Sequence, residues 1–219
     1  MTYSILARDP ETGAFGGAAA TGSLCVGGWV LRGRAGVGMS ASQGASPSTL
    51  WGDEALVRLG AGDSAEATVA ALTGADAGRA FRQLSVLGTG DAAAFTGAEN
   101  TPRTGDMIFD HGVAAGNLLS SDEVVPATVE AYLTGAGSFS ERLLAALFAG
   151  RSAGSDKRGL LSAALLVVSP HHAPLTLRVD YHEDPVSALA ALHDRATSGE
   201  YAFWARQVPT LADPERALD

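Results

Sequence analysis

Residues 14–20, AFGGAAA, read as a strand with almost no side chains. A strand built of Gly and Ala cannot fill a core by itself, so another layer has to pack very close to its sheet. The strand belongs to a 45-residue block that reads as four strands joined by tight turns. Thr2, Tyr3, Ile5 and Leu6 are strand formers and open the block at the second residue. Asp9-Pro10-Glu11-Thr12-Gly13 supplies a turn with Pro and Gly in favourable places. Ala14–Ala20, Gly28–Leu31 and Gly36–Ser42 follow, with Gly33-Arg34 as the last hairpin turn.

Helical signals come next. Ser46-Pro47 reads as a helix cap with Gly60 as its stop, and Asp63 with Glu66 as a capping box before Gly74. Strand character returns at Gln83–Leu87, Ala92–Phe95 and Val113–Ala115. Two capping boxes, Ser120/Glu123 and Ser138/Glu141, open further helices. In the second, Phe139, Leu143, Leu144, Leu147 and Phe148 share a face. Ser162–Val168 and Leu175–Val179 form a hairpin, and Asp184-Pro185 caps a last helix through about Arg195. Phe203 and Trp204 are expected to dock the charged tail. Hairpins dominate and helices come in separate blocks. The expected fold is α+β, a four-layer αββα sandwich of two mostly antiparallel sheets, forming a single domain over 1–219 with a docked tail from about residue 190.

Composition narrows the function. The net charge of −9 argues against nucleic acid and anionic lipid as partners. No apolar run reaches the ~20 residues of a membrane span, and the first twenty residues lack a signal-peptide pattern, which gives a cytoplasmic expectation. Cys25 is the only cysteine, so no internal disulfide or cysteine metal cluster is expected, and it reads as core filler in an apolar strand. No Walker loop is present, and no cofactor or metal is expected. Lys157 is the only lysine.

The sharpest chemistry lies at Thr2. Removal of Met1 would leave Thr2 with a free α-amine, pKa about 7.7–8.0, beside its own hydroxyl. The amine can then act as general base for that hydroxyl, the arrangement of an N-terminal threonine nucleophile. Thr2 is also an ordinary β-branched strand residue. Gln43 and Asn117 end strands, where an amide can donate to an oxyanion or substrate carbonyl. Asn117 can equally cap the helix that follows. Ser40–Gly44, SASQG, is one residue away from a nucleophile elbow, with Ser42 as a weaker nucleophile. His171-His172 reads as a solvated turn, and Asp184 as a cap rather than a metal ligand.

Five stretches together resemble the family called domain of unknown function 1028, which is placed among the N-terminal-nucleophile (Ntn) hydrolases. They are TYSILARDPETGAFGGAAAT, AGVGMSASQ, AAAFTGAEN, AAGNLL and GSDKRGLLSAALLVV. The resemblance implies the αββα fold and brings no established reaction. More distantly, the chain is similar to proteasome β subunits. That similarity makes Thr2 the nucleophile and Asp156, in GSDKRG, the acceptor that orients its amine, with Gly159 and Ser162 following. The same loop reads without it as a plain turn. The lysine that proteasome subunits carry on their third strand has no counterpart in Thr21–Leu31. Relatives in the family often carry Lys or His at the position of Gly22 and Gln at that of Leu161; Lys157 or Arg158, in a different loop, would be the substitute for the missing charge.

The expected function is hydrolysis of an amide or related acyl bond of an unknown small molecule. Thr2 and Asp156 are the catalytic pair, supported by Gln43, Asn117, Lys157 and Ser162. The alternative is a non-catalytic binding or assembly protein that keeps the fold. Gly/Ala strands and the apolar helix Ser138–Gly150 add the expectation of a homodimer.

Overall fold

A computed structural model describes residues 2–154 and 159–218. Six strands make one sheet: β1 (Thr2–Arg8), β2 (Phe15–Thr21), β7 (Thr104–Phe109), β8 (Gly112–Asn117), β9 (Ser162–Val168) and β10 (Leu175–Val179). Their order is β10-β9-β2-β1-β8-β7, so β1 is central. β3 (Leu31–Arg34), β4 (Gly38–Gly44), β5 (Arg82–Leu87) and β6 (Ala92–Thr96) make a second sheet in that order. All pairings in both sheets are antiparallel. The helices are α1 (Val26–Trp29), α2 (Thr49–Ala61), α3 (Ala65–Gly74), α4 (Val124–Thr134), α5 (Phe139–Ser152), α6 (Pro185–Ala196) and α7 (Gly199–Ala205). No helix among the described residues is long and apolar enough to cross a membrane.

Strand alternation sorts the apolar residues into layers. Tyr3, Ile5 and Ala7 of β1 pack with Val129 of α4, Leu143 and Leu147 of α5 and Leu189 of α6. Leu6, on the opposite face of the same strand, packs with Phe15, Met39, Leu87 and Val113 between the sheets. Leu84 and Val86 of the second sheet pack with Trp51 and Ala55 of α2 and Val69 of α3. Three apolar layers separated by two sheets give the four-layer αββα sandwich.

β2 shows why its sequence is so small. A Cβ on Gly16 would lie 2.5 Å from Leu143 Cδ1 and 2.6 Å from Phe139 Cε1 of α5. One on Gly17 would lie 2.8 Å from Leu6 Cδ2 and 2.9 Å from Met39 Cε. A helix approaches one face and the second sheet the other, closer than alanine allows. β1 is tied to the same helix by Tyr3, whose buried hydroxyl donates to Leu147 O at 2.7 Å. Burial pushes that hydroxyl's pKa up, so it stays a donor at any working pH.

Several elements differ from their sequence reading. Gly28–Leu31 is not a strand: Val26–Trp29 is a short helix, β3 starts at Leu31, and the hairpin turn falls at residues 35–37 rather than at Gly33-Arg34. Gly27 and Gly28 lie under Arg178, where a Cβ on Gly27 would meet Arg178 Cγ at 2.7 Å and Ala164 Cβ at 2.8 Å. Cys25 is therefore not in a strand; it precedes α1 at φ 61° and is half-buried. Ser48, not Ser46, caps α2, which runs past Gly60 to Ala61 with Gly62 as its C-cap. Ser64, not Asp63, caps α3. The Ser120/Glu123 box is absent; α4 starts at Val124, and Ser121 Oγ accepts from Glu123 N. β7 and α7 are additional elements. Phe203 and Trp204 sit on α7 largely exposed, so they do not dock the tail. The apolar face of α5 that prompted the dimer expectation is covered by the chain's own six-stranded sheet.

The Ser138/Glu141 capping box on α5 is formed, and the hydrogen bonds from Ser138 hold the Glu141 carboxyl below its usual pKa. Two changes test the α5–β2 contact. Gly16→Ala should lower stability by about 1–3 kcal/mol through overpacking against Leu143 and Phe139. Ser138→Ala should cost about 1 kcal/mol through the lost cap. A carboxyl with a depressed folded-state pKa stabilises above its unfolded value and loses that contribution as pH falls through the folded one. Glu141→Gln removes the titrating carboxyl, so its deficit should shrink as pH falls through the carboxylate range in urea titrations. An unchanged midpoint for Gly16→Ala would contradict the close approach.

Candidate active site

The alternation that sends Leu6 between the sheets sends Ser4 and Thr2 there as well. Along β1 the inter-sheet layer thus changes from apolar to polar. Ser4 Oγ donates to Gln43 Oε1 at 2.8 Å. Gln43 Nε2 donates to Gln83 Oε1 at 2.7 Å and to Ala115 O at 3.3 Å. Asn117 Nδ2 donates to the same Gln83 Oε1 at 3.1 Å. Gln83 Nε2 donates to Thr96 Oγ1, Gly105 O and Gly116 O at 2.9–3.2 Å. Thr96 Oγ1 passes the chain outward to Asp106 Oδ1 at 2.8 Å. Gln43, Gln83 and Asn117 are almost wholly buried. These side chains come from β1, β4, β5 and β8 and link the two sheets.

Thr2 stands at the end of this network. Its cross-strand partners are Thr21 on β2 and Asn117 on β8. Thr21 in turn pairs with Ser162 on β9, and Asn117 with Thr104 on β7. Five adjacent strands therefore present one polar row, Thr104–Asn117–Thr2–Thr21–Ser162. Thr2 Oγ1 donates to Thr21 Oγ1 at 3.1 Å.

The row borders a cavity of about 260 Å³. Thr2, Thr21, Ser23 and Gln43 give it a polar side; Leu24, Val26, Trp29 and Pro47 are among its apolar walls. None of the described lining residues is ionisable. Thr2 itself is 8% exposed. Ser162 shapes the wall: its hydroxyl donates to Ser23 O at 2.8 Å and accepts from Val26 N at 3.1 Å. The pair fixes the bend that leads from β2 into α1.

The structure thus brings Thr2, Gln43, Asn117 and Ser162 to one end of the sandwich. Gln43 lines the cavity, yet both its amide atoms are engaged within the protein. Asn117 caps no helix; it ends β8 opposite Thr2. Asp156 and Lys157 lie outside the described residues. Ser42 faces away from the cavity, donating to Ser48 O at 2.7 Å from within β4, with no elbow. Leu161 does not fill the cavity; its N–H donates to Thr21 O at 2.8 Å. The sequence reading missed Thr21, Ser23, Trp29 and Gln83. Thr21 was recoverable, because a tight turn at Asp9–Gly13 places it across from Thr2. Gln83 had no local signal.

The family of unknown function DUF1028 matches residues 2–189, and the chain belongs to that family. It is similar to protein SPO2555 of Silicibacter pomeroyi, assigned to the same family, whose crystal structure superposes with a TM-score of 0.96. The two are 56% identical over 100% of this chain and 96% of that one. A remote likeness, at 15% identity and TM-score 0.44, links 77% of this chain to 98% of Thiobacillus denitrificans BPH in complex with epoxomicin. Compared with curated proteins, the chain has no match.

Ser162→Ala tests how the cavity wall is held. It removes the acceptor of Val26 N and should cost about 1–2 kcal/mol. Amide hydrogen exchange should show faster exchange at Val26 while the β9–β10 hairpin stays protected. Unchanged protection at Val26 would exclude this role for Ser162.

Proposed function

We propose that this protein is an N-terminal-nucleophile hydrolase that cleaves an amide or related acyl bond of a small molecule. Thr2, freed by removal of Met1, is the nucleophile. The observation that carries the reading is the chemistry of the cavity. It offers Thr2, Thr21 and Ser23 hydroxyls and, among the described lining residues, no His, Asp, Glu, Lys or Cys to activate them. A hydroxyl alone is a weak nucleophile and needs an adjacent base. Of these residues only Thr2 acquires one from its own backbone, the α-amine.

The steps balance as acyl transfer. Thr2 Oγ1 attacks the carbonyl carbon and its proton passes to the α-amine. The amine returns that proton to the leaving nitrogen as the C–N bond breaks, leaving an ester on Thr2 and a free amine product. Water then attacks the ester, giving its proton to the α-amine. The C–O bond to Thr2 breaks, Thr2 recovers its proton from the ammonium, and the carboxylic acid departs. Asp156 is the proposed acceptor that helps orient the amine, and Lys157, next in sequence, is the cation proposed to support it. The placement of Leu161 supports this: it bonds the carbonyl of Thr21, directly across from Thr2, only a few residues after that loop.

Assayed against small N-acyl p-nitroanilides and esters, Thr2→Ala should reduce turnover on the order of 10³-fold or more while the fold persists. The base form of the amine is required, so kcat/KM should rise with pH through about 8. Intact mass of protein from its native host should give a chain starting at Thr2. Full retention of Met1, or undiminished hydrolysis by Thr2→Ala, would overturn the reading. Ligand binding without hydrolysis would instead identify a binding protein that keeps the fold.

A further inference from the structure

We propose that Asn117 is a positioning residue whose side-chain carbonyl oxygen accepts a hydrogen bond from the α-amine of Thr2. The inference rests on the reading of Thr2 as an N-terminal nucleophile and deepens it.

Asn117 Oδ1 is buried and has no hydrogen-bond partner, in a residue with no exposed surface. Leaving such an acceptor unmet is unfavourable, and a buried orphan in a native protein calls for a physical cause. Rotating the amide does not cure it. Gln83 Oε1 accepts from both Asn117 Nδ2 and Gln43 Nε2. Gln83 cannot turn either, because its Nε2 serves Thr96 Oγ1 and the carbonyls of Gly105 and Gly116. Flipping Asn117 would set its oxygen against the oxygen of Gln83. The orphan acceptor is locked in place.

The strand ladder indicates what donor belongs there. Arg8 N donates to His111 O, so even-numbered residues of β1 turn their N–H and C=O toward β8. Thr2 is even-numbered and pairs with Asn117. A chain that keeps Met1 has one N–H at Thr2, directed into the ladder. A chain that starts at Thr2 carries two hydrogens on that nitrogen as an amine and three as an ammonium. The extra hydrogens are the donors that Asn117 Oδ1 lacks.

The sense of the bond also fits the chemistry. An acceptor at Asn117 takes an N–H and leaves the amine's lone pair for the proton of Thr2 Oγ1. A donor at the same place would occupy the lone pair and disable the base. A neutral amide adds an orienting acceptor beside the amine without adding a further full charge to the one proposed for Asp156. No titratable side chain among the described residues lines this end of the cavity. Asp106 stands at the outer end of the amide chain, and Tyr3 faces the helices. Asp156, Lys157 and Arg158 lie outside the described residues.

The test is titration of the Thr2 α-amine by NMR in processed, ¹³C-threonine-labelled protein, with Met1 removed by an aminopeptidase where the host leaves it. Asn117→Asp should raise the amine's pKa by about one unit, since a new negative charge favours the ammonium. Asn117→Leu should lower it, because an acceptor favours the charged donor. Unchanged titration in Asn117→Asp would overturn the proposal. Where a variant fails to fold, a crystal structure of the processed wild-type protein decides. Thr2 N should lie about 2.7–3.2 Å from Asn117 Oδ1; a nitrogen out of hydrogen-bond range would overturn the proposal. Neither measurement uses a substrate. A Thr2→Ala variant that still hydrolyses would therefore sink the function while leaving this contact intact.

Discussion

A run of buried side-chain amides joins the two sheets at the end where Thr2 sits. The space between stacked sheets is ordinarily filled by apolar side chains. Here Ser4, Gln43, Gln83 and Asn117 replace them, and each buried polar atom requires a partner. The set runs in one donor–acceptor sense and leaves Asn117 Oδ1 unmet: Ser4 gives to Gln43, Gln43 and Asn117 give to Gln83, and Gln83 gives to Thr96 and two backbone carbonyls. Because its members come from both sheets, a slip of either sheet would break several bonds at once. Each buried group left unmet costs about 1–3 kcal/mol. The network therefore fixes sheet-to-sheet register more sharply than the apolar half of the layer around Leu6 and Met39.

β1 is consequently held on both faces next to its first residue. On the helix side Tyr3 bonds Leu147 O; on the sheet side Ser4 bonds Gln43. Thr2 follows directly, between Thr21 and Asn117, on the rim of a cavity whose far wall Ser162 pins. A reacting group gains most from fixed orientation when its surroundings cannot relax. The small residues of β2 belong to the same design. Gly16 and Gly17 let α5 and the second sheet close on the strand beside β1.

Much of this was legible locally. The start of β1, the capping box at Ser138 and Glu141, and the β9–β10 hairpin rest on short-range rules, and their structural positions follow them. The four-layer arrangement followed from hairpins and separated helical blocks. Where local signals were weak or doubled, the reading slipped. Ser46 reads as a cap, but its backbone is bonded to Phe81 and Arg82, and Ser48 accepts from Trp51 N instead. β7 is a largely exposed edge strand with Gly105 and Asp106, so it lacks apolar alternation. α1 contains two glycines, and its shape depends on Arg178 and Ala164, far away in sequence. At the site, the role proposed for Thr2 was suggested by its position behind Met1 and by the resemblance to proteasome β subunits. Gln83 was invisible, because four residues from four strands meet only in the folded chain. Gln43 and Asn117 were singled out as donors to a substrate or, for Asn117 above all, as a helix cap; their amide donors are engaged with the protein.

The central claim is that Thr2 carries a free amine and a working hydroxyl on adjacent carbons. Mild periodate cleaves a 1,2-amino alcohol of this kind, converting an N-terminal threonine to a glyoxylyl group with release of acetaldehyde. Applied to the native protein, with intact mass and hydrolysis of small N-acyl amides followed in parallel, it reads the claim directly. The account predicts that the mass shift at residue 2 and the loss of hydrolysis proceed together. Hydrolysis that survives complete conversion, or that belongs to a chain still carrying Met1 and inert to periodate, would contradict it.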